Sequence, residues 1–139
     1  MVLSQTSRYA LRALILLAQT GDRPILARRL AEELQLPQNY LAKILNQLAH
    51  RGLLRSFRGA RGGFQLARPP DQIRLIDIVE GFEDLPRSSA CLLGLPECSD
   101  DADCSIHQRW KPVITSYRRF LEQTTLDDAS FGRSPSPVE

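Results

Sequence analysis

Residues 37–66 read PQNYLAKILNQLAHRGLLRSFRGARGGFQL. In the first half, Leu41, Ile44, Leu45 and Leu48 fall at i, i+3, i+4 and i+7, one apolar stripe of an α-helix. The opposite face carries Asn39, Lys43, Asn46 and His50. Pro37 suits the first position of that helix, and Gly52 the position just past its end, so the spacing predicts a helix over 37–50. Two short strands are expected next, at 53–57 and 64–66, on either side of Arg58-Gly59-Ala60-Arg61-Gly62-Gly63. The glycines permit the positive φ of a tight hairpin, and the two arginines sit at its tip.

Upstream, Leu26, Leu30 and Leu34 share one face of a helix expected over 26–34, and Gln35-Leu36-Pro37 breaks it. A first helix over 4–20 has Leu11, Leu14, Ile15 and Ala18 as its buried stripe. Two short helices joined by a tight turn describe an ordinary helical hairpin as well as a helix-turn-helix. The amide- and Lys-bearing outer face, followed directly by a basic hairpin, favours the second reading: a winged helix-turn-helix over 1–70. Arginines at a hairpin tip suit a narrow minor groove, where negative potential is concentrated.

Charge supports a polyanion partner. Residues 1–70 hold 11 Lys/Arg against 3 Asp/Glu, and residues 71–139 hold 7 against 13, an asymmetry hidden by the net charge of +2. No apolar run reaches the roughly 20 residues a bilayer requires, and no leader-like segment opens the chain, so no membrane role and a cytoplasmic location are expected. There thiols stay reduced, and three cysteines cannot all pair within one chain.

Beyond a linker and short helix assigned to 71–87, with Leu75, Ile78, Val79 and Phe82 turned inward over 75–82, comes a cysteine-rich loop, 88–105. Its cysteines, Cys91, Cys98 and Cys104, run into His107 with the spacing C-x6-C-x5-C-x2-H. Four soft or borderline ligands so close together suit a zinc ion or an iron–sulfur cluster. Zinc sites favour close pairs such as C-x2-C, whereas wide gaps suit a cluster, which meets its ligands at separate irons. Cys104 lies just before a helix, whose positive end favours a thiolate. A Cys104 nucleophile with His107 as base lacks a third, orienting residue, so no enzyme is expected.

The last long helix, 105–128 as a segment and helical over about 105–124, has Ile106, Trp110, Val113, Tyr117 and Phe120 at alternating spacings of four and three. That is a coiled-coil-like seam, longer than the small N-terminal domain needs, and points to a homodimer. Pro112 is expected to bend the helix, Ser105 and Gln108 fit a capping box, Thr125 with Asp127 and Asp128 suits one more short helix, and 129–139 suits a disordered tail.

Ser7-Arg8-Tyr9-Ala10, Tyr40-Leu41, Gly52-Leu53, Arg58-Gly59 with Gly62-Gly63-Phe64, and Cys104-Ser105-Ile106-His107 with Trp110 together carry a resemblance. The chain resembles the Rrf-two (Rrf2) family of winged-helix regulators, in particular its iron–sulfur, IscR-like branch, over nearly all of its length. The resemblance implies a mainly α fold: a winged helix-turn-helix domain with a two-stranded wing plus a long C-terminal dimerisation helix. It implies a transcription factor that binds double-stranded promoter DNA at a roughly palindromic site as a homodimer. It implies a 2Fe–2S cluster, rather than 4Fe–4S or zinc, held by Cys91, Cys98, Cys104 and His107. The DNA-facing set is Gln38, Asn39, Tyr40 and Lys43 on the third helix, Arg58 and Arg61 on the wing, with Arg8 and Arg28 adding backbone contacts. The first cysteine gap is one residue longer than in that branch. Ser7-Arg8 lacks the carboxylate that nitric-oxide-sensing relatives supply from the partner subunit. Gln35 stands where glycine is frequent, at a cost of about 1 kcal/mol if left-handed.

Overall fold

In the computed structural model, residues 3–83, 85, 92, 93 and 105–129 are described. Helix α1 (Gln5–Gln19) starts at Ser4, whose hydroxyl accepts the Ser7 N–H at 3.2 Å. It packs against the helices at Ala27–Leu34 and Gln38–His50, the strand at Gly63–Leu66, and the short helices at Leu75–Val79 and Leu126–Ala129. Its most deeply buried side chains are Ser7, Ala10, Ala13, Leu14 and Leu17, while Leu11, Ile15 and Ala18 are only half-buried. The expected stripe is thus one residue out of phase. Alanines let neighbouring backbones approach most closely, so the face with the smallest side chains, not the largest, is the one enclosed.

Helix α2 (Ala27–Leu34) and helix α3 (Gln38–His50) form the helix-turn-helix. Gln35 between them is left-handed at φ 56°, ψ 48°. That geometry lets Leu36 N–H reach Ala31 O at 2.9 Å and Gln35 N–H reach Glu32 O at 3.3 Å, which terminates α2. Pro37 sits just outside α3 as its cap, not inside it. At the other end Gly52, at φ 83°, closes α3 in the same manner, with Leu53 N–H on Leu48 O at 3.0 Å. Because Gln35 holds a conformation that disfavours a Cβ, Gln35→Gly is expected to raise the unfolding free energy by about 0.5–1 kcal/mol. Urea titration reads this as a higher midpoint at unchanged slope, and an unchanged or lower midpoint would refute it.

Strands β1 (Leu54–Phe57) and β2 (Gly63–Leu66) pair antiparallel from Leu54↔Leu66 to Phe57↔Gly63 and form the wing. Two further bonds, Ile25 N–H to Phe64 O at 2.9 Å and Phe64 N–H to Ile25 O at 2.8 Å, fasten the wing to the segment entering α2.

After a 3-10 turn at Pro70–Gln72 comes α4 (Leu75–Val79), shorter than the 75–82 expected. The reason is tertiary. The carbonyls of Asp77 and Ile78, which a longer helix would use internally, are taken by the Arg51 guanidinium, and Phe82 N–H turns to Val79 O at 2.9 Å instead. Helix α5 (Ser105–Gln123) runs through Pro112 and already includes Ser105, so Ser105 is not its cap. Helix α6 (Leu126–Ala129) is capped by Thr125 and Asp128, whose side chains each bond the other's N–H, at 3.3 and 2.9 Å. Leu75 N–H to Thr124 O and Leu126 N–H to Ile73 O, both 2.9 Å, pin the end of α5 to the domain. One core results, built from Leu14, Leu30, Leu41, Leu45, Leu48, Ile73, Ile78, Val79, Leu121 and Leu126.

Candidate nucleic-acid interface

The outward face of α3 is formed as its periodicity requires. Leu41, Ile44, Leu45 and Leu48 are buried, so Gln38, Asn39 and Lys43 are exposed on the other side. Tyr40 differs from them. Its ring meets Tyr9 edge-on, centroids 5.7 Å apart at 79°, and its hydroxyl is hydrogen-bonded to the Thr6 hydroxyl. Gln5 Nε2 donates to the Tyr9 hydroxyl at 2.7 Å. Arg12 lies 6.0 Å from the Tyr9 ring centre and donates to Leu34 O, a terminal carbonyl of α2, at 3.0 Å. Polar side chains of α1 therefore hold both helices of the reading pair in place. Sequence reasoning quoted Tyr9 only as part of the resemblance and gave no role to Thr6, Tyr9 or Arg12. Their spacing of three, which keeps them on neighbouring turns of one face, was the available signal.

The wing brings Arg58 and Arg61 to an exposed tip. Two clefts of about 590 Å³ each flank it. One gathers Arg28, Gln38, Ser56 and Phe57 with the wing glycines, so two of the sequence-predicted contacts and the wing share a groove. The other is lined by Arg23, Arg29 and Arg61. Arg8 is exposed on α1 outside both linings. Among the described residues, Arg23, Arg28, Arg58 and Arg61 make no ion pair. Unpaired guanidinium groups on one face form the positive surface that a phosphate backbone requires.

At the far end of α3, Arg51 joins the reading domain to the segment that leads towards the cysteines. Besides its bonds to Asp77 O and Ile78 O, the latter 3.0 Å, it stacks 5.7 Å from the Phe82 ring centre and approaches Glu80 at 3.9 Å. Gly81 leaves room for it, since a Cβ there would lie 2.7 Å from Arg51 Nε. Glu83 then reaches the start of α1, accepting Ser4 N–H at 2.5 Å. Burial pushes the Glu83 carboxyl up, but hydrogen bonds from Ser4 and Ser7 outweigh it and hold the group below the usual carboxylate range. A carboxylate depressed in this way supports the fold above its unfolded value and loses that support as the pH falls through the depressed one.

On α5 two stripes diverge. His107, Ile114 and Leu121 recur every seven residues and are buried, at 6 %, 2 % and 1 % exposure. Ile106, Val113 and Phe120 recur at the same spacing on the adjoining face and are 43 %, 54 % and 56 % exposed. Trp110 and Tyr117, the other seam residues, are half-buried. Of the four expected ligands, His107 is on the first turn of α5, and Cys91, Cys98 and Cys104 lie outside the described residues. No helix among the described residues is long and apolar enough to cross a membrane.

Known proteins share this architecture. The description of the Rrf2 family, "Iron-dependent Transcriptional regulator", matches residues 3–130. A chain named as an HTH-type transcriptional regulator in Aquifex aeolicus is 39 % identical over 130 residues, covering 92 % of this chain and 90 % of its own. CymR of B. subtilis, the global cysteine regulator, superposes with a TM-score of 0.76 at 28 % identity, covering 96 % of this chain and 98 % of its own. IscR of T. potens does so with a TM-score of 0.73 at 27 % identity, covering 100 % and 93 %. With the helix-turn-helix, the wing and the long helix all present over the matched length, this chain belongs to the Rrf2 family of winged-helix transcriptional regulators.

Proposed function

We propose that this regulator binds a roughly palindromic promoter site as a homodimer and senses cellular iron–sulfur or redox status through a 2Fe–2S cluster on Cys91, Cys98, Cys104 and His107. The observation that carries the ligand reading is the burial of His107 on the first turn of α5, three residues after Cys104. An imidazole withdrawn from water with a restricted ring is suited to a permanent ligand, and the donor set of three thiolates and one imidazole fits such a cluster. The bound group would supply a redox-sensitive, oxidisable centre in the reducing cytoplasm.

The chain's own residues do the rest. Gln38 and Asn39 offer amides suited to adenine, and Lys43 reaches guanine, while Arg58 and Arg61 take the minor groove or its phosphates and Arg8 and Arg28 the backbone. Tyr40, tied to Thr6 and Tyr9, sets the angle at which α3 enters the groove. Arg51 and Glu83 fasten residues 77–83 to the end of α3 and the start of α1, so a change of order in the following cysteine segment bears on the reading helix. Such a switch needs different DNA affinities in its two states.

Anaerobic purification with a visible spectrum and iron, sulfide and zinc analysis tests the reading. A brown protein with about two iron and two sulfide per chain is expected, with both lost in Cys98→Ala. Cys98→Ala retaining full iron would remove the ligand assignment. A second reading, a DNA-binding thiol or zinc sensor, draws on the comparable similarity to CymR, and a colourless protein that keeps zinc would favour it.

A further inference from the structure

We propose that the cleft lined by Arg23, Arg29 and Arg61 is a second anchoring point for DNA, taking a backbone phosphate beyond the groove served by α3. The inference rests on the DNA-binding reading above and adds two residues to it, Arg23 and Arg29. The cleft is about 590 Å³ and is lined, besides the arginines, by Pro24, Ile25 and Leu26 at the entry to α2 and by Ala60 and Gly62 of the wing tip. Leu26 and Ala60 also line the groove that contains Arg28 and Gln38, so the two clefts lie side by side with the wing tip between them. A strand leaving that groove would meet Arg61 and then Arg23 and Arg29.

The chemistry is one-sided. Three arginines line the cleft, and no carboxylate does. Arg29 has an i,i+4 partner in Glu33 at 3.5 Å, but its side chain is 74 % exposed, and a pair of that kind holds a guanidinium only weakly. Arg23 and Arg61 have no ion-pair partner among the described residues. The cap of α2 at Leu26 makes no side-chain hydrogen bond, so the first-turn amides add partial positive charge at the same place. The site is also built before any ligand arrives. The two Ile25–Phe64 bonds, 2.9 and 2.8 Å, lock the wing to the segment entering α2, so little backbone ordering is needed on binding. Arginine matches a phosphate through paired N–H donors, which fits a DNA backbone better than a diffuse cation site would.

Fluorescence anisotropy on a mixed-sequence duplex of about 30 base pairs, titrated at several salt concentrations, tests this. The comparison is wild type, Arg23→Gln/Arg29→Gln, and the charge-matched control Arg68→Gln/Arg119→Gln, whose residues are exposed and outside both clefts. Loss of one phosphate contact per protomer removes two per homodimer and lowers the steepness of log affinity against log salt by about 1.8, which is about a sixtyfold loss at ~0.1 M salt. The cleft variant should show that change and the control should keep the wild-type slope. An unchanged slope in the cleft variant, or an equal fall in the control, overturns the inference while leaving DNA binding intact. Thermal stabilisation of wild type by inorganic phosphate, lost in the cleft variant whose DNA slope is unchanged, also overturns it in favour of a small-anion site. Wild type that binds no duplex at any salt would overturn the DNA-binding reading itself.

Discussion

Val113→Glu should convert the proposed homodimer into folded monomers and weaken its binding to a two-fold site by at least about a hundredfold. Ile106, Val113 and Phe120 form a row of large apolar side chains, each about half exposed. With Trp110 and Tyr117 the row has the alternating four-three spacing of a two-helix seam. Helix α5, with 19 residues, spans about 28 Å, long enough for several layers of such a seam. At a two-fold interface each substitution appears twice, and an uncompensated buried carboxylate costs several kcal/mol. Because Val113 is 54 % exposed in the protomer, the fold does not depend on it. Ile114, one residue on, is 2 % exposed, and Ile114→Glu should unfold the chain instead. Sedimentation equilibrium and circular dichroism separate the two outcomes. A Val113→Glu protein still dimeric at micromolar concentration would place the interface elsewhere.

Gly63→Ala should cost on the order of 3 kcal/mol and detach the wing. Gly63 lies at φ 127°, where a side chain is strained, and a Cβ there would overlap the Ile25 carbonyl and lie 2.6 Å from the Leu26 amide nitrogen. Both obstacles are backbone, so neither can rotate away. Relief requires separating β2 from residue 25, which breaks the bonds at 2.9 and 2.8 Å. For a chain of this size the melting temperature should fall by roughly 10 °C. DNA affinity should fall with it, because Arg58 and Arg61 lose their fixed position. Gly21→Ala is the useful contrast. At φ 84° it is also left-handed, but nothing lies within 4 Å, so only the conformational cost of about 1 kcal/mol remains. Equal melting temperatures for the two variants would show that the close approach at Gly63 carries no energy.

The amino-acid sequence alone determined what depends on short-range periodicity and local chemistry. The buried stripe of α3, its exposed amides and lysine, the hairpin with arginines at its tip and the four-three seam of α5 all follow from neighbours within a turn or two, whereas a left-handed Gln35 was only a condition raised by the family resemblance. The cysteine spacing was legible for the same reason, although those residues lie outside the ones described. Tertiary structure decided which face of α1 is enclosed, because close approach selected Ala10 and Ala13 over bulkier Leu11 and Ile15. It also decided where α4 stops, since Arg51 takes carbonyls 26 and 27 residues away. The Tyr40–Thr6 bond and the docking of residue 25 on Phe64 likewise join positions 34 and 39 residues apart. Arg23, Arg29 and Arg61 look like scattered surface charges in the sequence, and only the docked wing makes them one cleft. A hydrogen bond between distant residues exists only after packing has brought both partners together, and no local pattern records that event.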